Sequence, residues 1–143
     1  MNDPAPALCA TLAAMYRDDP RLAGLIGPGG PFEVEEATLD GVPLRVFVRA
    51  PRTIVDCFEM GRGHADLVHI VHQGERWTFA QVHDRARRLA RELRGTFGIG
   101  RGDRVAIAMR NLPEFVVSFW AAALNGAIVV PLNAWWTGPE LRY

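Results

Sequence analysis

The chain has 143 residues, 49% apolar and 22% charged, with 16 basic and 16 acidic side chains and a formal net charge of zero. That apolar share supports the packed core of one domain and excludes a disordered chain. The balanced charge leaves no excess to drive counterion release, so no nucleic-acid partner is expected.

All 16 basic residues are Arg, Lys is absent and Ser118 is the single serine. These counts exclude a Walker-type phosphate lysine, a Schiff base and a Ser–Lys dyad. Cys9 and Cys57 are far apart and form no C-x-x-C, so they read as two reduced core thiols rather than a bridge. Met1-Asn2-Asp3-Pro4 lacks the positive start of a signal peptide, and a cytoplasmic location is expected.

Residues 4–17 read as a helix, with Leu8, Leu12 and Met15 or Tyr16 on one side. Gly24, Gly27, Pro28, Gly29, Gly30 and Pro31 then mark a loop, so residues 1–31 are expected to form an N-terminal helix and a Gly/Pro-rich arm. Residues 32–50 alternate around Asp40-Gly41, a strong hairpin signal. Thr53 and Asp56 start a helix with Ile54, Val55 and Phe58 on its apolar side. Residues 67–72 and 76–79 flank Gln73-Gly74 as a second hairpin.

Thr78 and Gln81 form a T-x-x-Q capping box, and Phe79, Val82, Ala86, Leu89, Leu93 and Phe97 fall on one helical face. Asp84–Arg88 and Arg88–Glu92 are spaced as opposite-charge pairs on the other face. Gly98, Gly100 and Gly102 close this helix before a buried strand at 104–109. Asn111 is the expected cap of the next helix, with Pro113 in its first turn and Glu114 at the box position.

From Phe115 to Leu132 the chain is mostly apolar, nearly long enough to span a bilayer. Asn125-Gly126 interrupts that run and Val129-Val130 is β-branched, so it reads as a helix over 112–125 and a strand over 127–132. Strands 104–109 and 127–132 around one helix predict a parallel β-α-β unit. Thr137-Gly138-Pro139-Glu140 opens a further helix with almost no body, so the chain is expected to be cut in mid-fold. The fold class is therefore α/β: an incomplete layered α/β domain with a parallel β-α-β unit and N-terminal β-hairpins.

Each conspicuous cluster has a plain reading. Gly98-Ile99-Gly100-Arg101-Gly102 runs helix, glycines, strand, the reverse of a dinucleotide loop, and reads as a helix end. His69 and His72 are three apart on a strand and point to opposite faces, while His64 and His83 lack partners at ligand spacing. Arg85, Arg87, Arg88, Arg91 and Arg94 form the solvated side of an amphipathic helix. Trp120 is expected in the core, whereas Trp135-Trp136 follow a strand's carboxyl end and read as packing surface before ligand surface.

The ordered series Trp77-Thr78-Phe79-Ala80-Gln81-Val82, Gly102-Asp103-Arg104-Val105-Ala106, Asn111-Leu112-Pro113-Glu114-Phe115 and Gly126 through Asn133 resembles the N-terminal part of the adenylate-forming (AMP-dependent) synthetases and ligases. With Asn133-Ala134-Trp135-Trp136-Thr137 and the 32–50 hairpin, it is most like bacterial fatty-acid–CoA ligases. Gln81-Val82 replaces the usual Glu-Leu, and Asn125 stands where Lys or Ala is common.

For a complete enzyme the resemblance implies ATP, Mg and CoA: a carboxylate attacks the α-phosphorus to give acyl-AMP and pyrophosphate, and CoA thiolate then displaces AMP. It also places the Ser/Thr/Gly-rich, lysine-containing phosphate loop, the ribose-binding acid and the catalytic lysine beyond the matched region. Residues 32–143 are thus expected to be a partial N-terminal domain with no catalytic, cofactor-binding or metal-binding residue of its own. The expected partner is the remainder of the enzyme or a second copy. A stand-alone interaction module without enzymatic activity is the alternative.

Overall fold

A computed structural model describes residues 19–142, which fall into two compact units divided between Pro51 and Arg52. The helix expected over 4–17, Cys9 included, lies outside the described residues.

In the first unit, the segment expected to be a Gly/Pro-rich arm begins with helix α1, Pro20–Ile26. The dipeptide Asp19-Pro20 explains the difference. The Asp19 carboxylate accepts the Arg21 N–H at 2.9 Å, and Pro20 occupies the first turn, where its missing N–H costs nothing. Gly24 is carried inside this helix, and the loop starts only at Gly27. There the chain folds back so closely that a Cβ on Gly30 would stand 2.4 Å from the Leu25 carbonyl oxygen.

Strands β1 (Val34–Leu39) and β2 (Val42–Phe47) pair antiparallel from Val34–Phe47 to Leu39–Val42. Asp40 and Gly41 take φ of 49° and 81°, the two positive values a tight two-residue hairpin turn requires.

The second unit opens with α2 (Ile54–Met60), whose expected box is complete: the Asp56 N–H donates to Thr53 Oγ1 and the Thr53 N–H to the Asp56 carboxylate. Cys57 lies on this helix and is exposed, not a core thiol; helical spacing puts its neighbour Phe58 in the core instead. A 3₁₀ turn, Gly61–His64, leads to the hairpin of β3 (Val68–His72) and β4 (Glu75–Thr78), turned at Gln73-Gly74. Strand β4 stops at Thr78 because that residue is already the helix cap, accepting the Gln81 N–H while Gln81 accepts its own.

Helix α3 (Phe79–Phe97) follows and ends at left-handed Gly98, with the Ile99 N–H returning to the Leu93 carbonyl. Its buried stripe is Val82, His83, Ala86 and Ala90, rotated from the expected one. Leu89 and Leu93 are half-buried, and Phe97 is 70% exposed. The cause is the partner helix α4 (Pro113–Leu124), which offers Val117, Ala121, Ala122 and Ala123 and so packs best against the small residues of α3.

The Asn125 amide locks the two helices, donating to the Ala90 carbonyl at 2.8 Å in a buried position. Neither Asp84–Arg88 nor Arg88–Glu92 closes as an ion pair among the described residues. Instead Arg87 reaches across to Glu59 of α2, which also meets Arg62 at 3.3 Å.

Strands β5 (Arg104–Ile107) and β6 (Ile128–Pro131) pair parallel in the register Arg104–Ile128 to Ile107–Pro131, joined through α4 as expected. The cap of α4 is Leu112 rather than Asn111, and no side chain bonds its first turn. Pro113 is the reason: it forces the residue before it into extended backbone, so the non-helical cap conformation falls on Leu112.

A short helix α5 (Gly138–Leu141) begins at the Thr137–Glu140 box, the Glu140 carboxylate accepting the Thr137 N–H at 2.6 Å. The apolar run from Phe115 to Leu132 is thus a helix and a strand, and no helix among the described residues is long and apolar enough to cross a membrane. The architecture is mixed α/β, with a parallel β-α-β unit and antiparallel hairpins.

Candidate functional site

Parallel strands end side by side, and the space beyond their carboxyl ends is where open α/β sheets place ligands. Here β5 runs out through Met109, Arg110 and Asn111, and β6 through Leu132, Asn133 and Ala134. With His72 and Gln73 from the β3–β4 turn, they enclose a cavity of about 500 Å³.

Local hydrogen bonds fix its rim. The Asn133 side-chain oxygen accepts the Trp135 N–H at 3.0 Å, and the Asn133 carbonyl accepts the Trp136 N–H at 3.1 Å. This tight turn leaves Trp135 75% exposed, with the Arg110 guanidinium 5.4 Å from the centre of its ring. The first turn of α4, without a side-chain cap, faces the same space through Leu112 and Phe115. A smaller apolar cavity of about 250 Å³, lined by Ile70, Val71 and Val116, adjoins it through His72, Asn111, Leu112 and Phe115.

Of the residues singled out in the sequence, His72 and Trp135 line this cavity, whereas His64, His69, His83, Trp120 and the Arg side chains of α3 do not. His69 and His72 separate as the strand period requires: His72 lines the large cavity, while the His69 ring lies 4.1 Å from Phe79 beside a different, small cavity. No cluster of three or more His, Cys, Asp or Glu side chains suited to a metal exists among the described residues.

His83 is 7% exposed, stacks on Phe58 at 3.8 Å, and its Nδ1 finds no partner among the described residues. Burial pushes its pKa below the usual 6.5, with Arg87 and Arg62 acting in the same direction and Glu59 opposing. Burial likewise lowers the pKa of His69.

The Arg face of α3 is only partly solvated, since Arg87 is paired and Arg85 sits 4.2 Å over Trp77. Trp120 packs on Phe58 at 4.9 Å, whereas Trp135 and Trp136 stay exposed. Sequence reasoning missed the burial of His83, although its place four residues after Phe79 carried the signal. It also missed the Arg110–Trp135 pair, which no local spacing marks.

A triphosphate does not fit the residues present. There is no Lys, the one serine lies half-buried on α4, and the glycine triplet follows a helix end instead of preceding a helix start.

Comparison with known proteins agrees with this architecture. The AMP-binding enzyme family matches residues 57–143. A long-chain-fatty-acid–CoA ligase of Escherichia coli O6:H1 is 34% identical over 103 residues, 71% of this chain and 18% of that protein. The acyl-CoA ligase sidI of Aspergillus fumigatus is 44% identical over 70 residues, 49% of this chain and 12% of that protein.

Among solved structures, the anthranilate CoA ligase AuaEII in complex with anthranoyl-AMP superposes with a TM-score of 0.61 at 28% identity, covering 66% of this chain and 19% of that one. The chain spans about one-fifth of the length of these ligases or less. It belongs to the AMP-binding enzyme family, through the helices and parallel strands of residues 57–143.

Proposed function

We propose that this chain is a non-catalytic N-terminal scaffold segment of an ATP-dependent acyl-CoA synthetase, residues 32–143 forming part of its N-terminal domain and residues 1–31 preceding it. The observation that carries the reading is the match to a small share of fatty-acid–CoA ligases by a chain that has no lysine. Adenylate transfer rests on fixed positive charge around the phosphates, and this chain has no phosphate loop to supply it. Its physical contribution is the α3–α4 core and the β5–β6 pair that hold later loops in place. ATP, Mg and CoA belong, in this reading, to the complete cytoplasmic enzyme.

Two measurements test it. ATP–pyrophosphate exchange by the purified 143-residue chain with a panel of fatty acids should equal the blank; robust exchange refutes the scaffold role. A chimera carrying residues 57–143 in place of the matching stretch of the E. coli ligase should retain acyl-CoA synthesis. A chimera that folds but has lost synthesis refutes the ligase assignment.

A stand-alone interaction module is the second reading, favoured by one observation: the β5–β6 sheet has two strands, and Trp135 and Trp136 beside it are 75% and 43% exposed. It expects a defined partner to be captured in stoichiometric amount by a chain whose chimera is inactive.

A further inference from the structure

The β1–β2 hairpin is a two-stranded sheet whose two sides differ. Directly opposed residues share a side and successive residues alternate between sides. Glu35–Val46, Ala37–Leu44 and Leu39–Val42 therefore lie on one side, Glu36–Arg45 and Thr38–Pro43 on the other. Five of the six residues on the first side are apolar, and Leu39, Val42 and Leu44 are 55%, 54% and 44% exposed. A two-stranded sheet is marginal until such a side is covered. Helix α1, in the same unit, buries no residue and so does not supply the cover.

The segment before α1, outside the described residues, has the complementary need in its sequence. From Pro4 to Tyr16 it carries no charged side chain, and Leu8, Leu12 and Met15 recur at helical spacings of four and three. A helix over 4–17 is about 21 Å long, against about 20 Å for a six-residue strand. The stripe ends beside Arg17, and the one charge on the apolar side of the hairpin is Glu35, near the start of β1. Residues 17–33 join the two surfaces, and a connection this short holds them together at an effective concentration on the order of millimolar, above that of a second copy in dilute solution.

We propose that residues 4–17 pack as an amphipathic helix across the apolar side of the β1–β2 hairpin. Met15 lies toward Val46, Leu12 toward Ala37 and Leu44, and Leu8 toward Leu39 and Val42, with Arg17 toward Glu35. This order follows from the connection, which brings the carboxyl end of the segment to the start of β1 and its amino end to the Asp40-Gly41 turn. Hairpin and segment then form one cooperative layer, and the proposal stands apart from the ligase reading.

The test uses the full chain with Cys57→Ser, so that Cys9, next to Leu8, alone carries a nitroxide spin label. The label should broaden the amide NMR signals of residues 37–46, and reduction of the nitroxide should restore them. Leu8→Asp with Leu12→Asp should abolish the broadening, and so should Leu44→Asp on the opposing surface, an independent check should one variant fold poorly. A mixture of isotope-labelled chain without nitroxide and unlabelled chain with it should show no broadening. Broadening in that mixture would assign the hairpin side to a second copy and overturn the proposal. No broadening in the spin-labelled chain itself, or broadening indifferent to the Asp substitutions, overturns it too.

Discussion

Replacing Asn125 by Ala measures how firmly α3 (Phe79–Phe97) and α4 (Pro113–Leu124) are locked. The Asn125 amide is buried and donates to the Ala90 carbonyl at 2.8 Å, a bond between residues 35 apart in sequence. A buried hydrogen bond contributes about 1 kcal/mol net, and the carbonyl left behind adds a desolvation cost of similar size. The expected net destabilisation is about 2 kcal/mol, or roughly 8–16 °C in melting temperature for a unit of this size.

Asn125→Asp should cost more at neutral pH, about 3 kcal/mol, because a carboxylate would face the carbonyl oxygen with no donor between them. Urea unfolding followed by circular dichroism gives both values. Parent, Ala and Asp variants unfolding within 0.3 kcal/mol of one another would refute the reasoning, as would an Asp variant more stable than the Ala variant.

The remaining expectations follow from single groups. Burial holds the pKa of His83 below 6.5, so as the pH falls the unfolded chain takes up that proton first; stability should be fully present above about pH 6.5 and decline below it. His83→Phe should flatten that decline below about pH 6.5, leaving the share due to His69, and a parent protein that gains stability on acidification would contradict the assignment. Thr78→Ala removes the oxygen that accepts the Gln81 N–H and should cost about 1 kcal/mol, read as a lower urea midpoint at unchanged slope.

Local chemistry was legible wherever a residue acts on its immediate neighbours. Thr53 with Asp56, Thr78 with Gln81 and Thr137 with Glu140 mark three helix starts, because the cap and its reciprocal partner are three residues apart. Asp40-Gly41 and Gln73-Gly74 mark two hairpins through their positive φ angles. The family resemblance was also legible, since it rests on the order of such signals. The candidate site was legible only in Trp135, which follows a strand's carboxyl end; Arg110, His72 and Asn133 join it from separate turns, and no periodicity links them.

The sequence by itself determined three capping boxes, two hairpin turns, and the division of the apolar run at 115–132 into α4 and β6, each a matter of backbone preference within a few residues. Tertiary structure decided which side of each element is inside. Helix α3 turned its alanines toward α4, stacked His83 on Phe58 of α2 and left Phe97 in solvent, because a helix packs on the face its partner can approach most closely. Arg87 ignored the charges of its own helix for Glu59 of α2. Cys57, apolar enough for a core, stayed exposed because its neighbour Phe58 filled the place between His83 and Trp120. In each case competition for space between elements distant in sequence, which no local pattern encodes, selected among faces that were all locally acceptable.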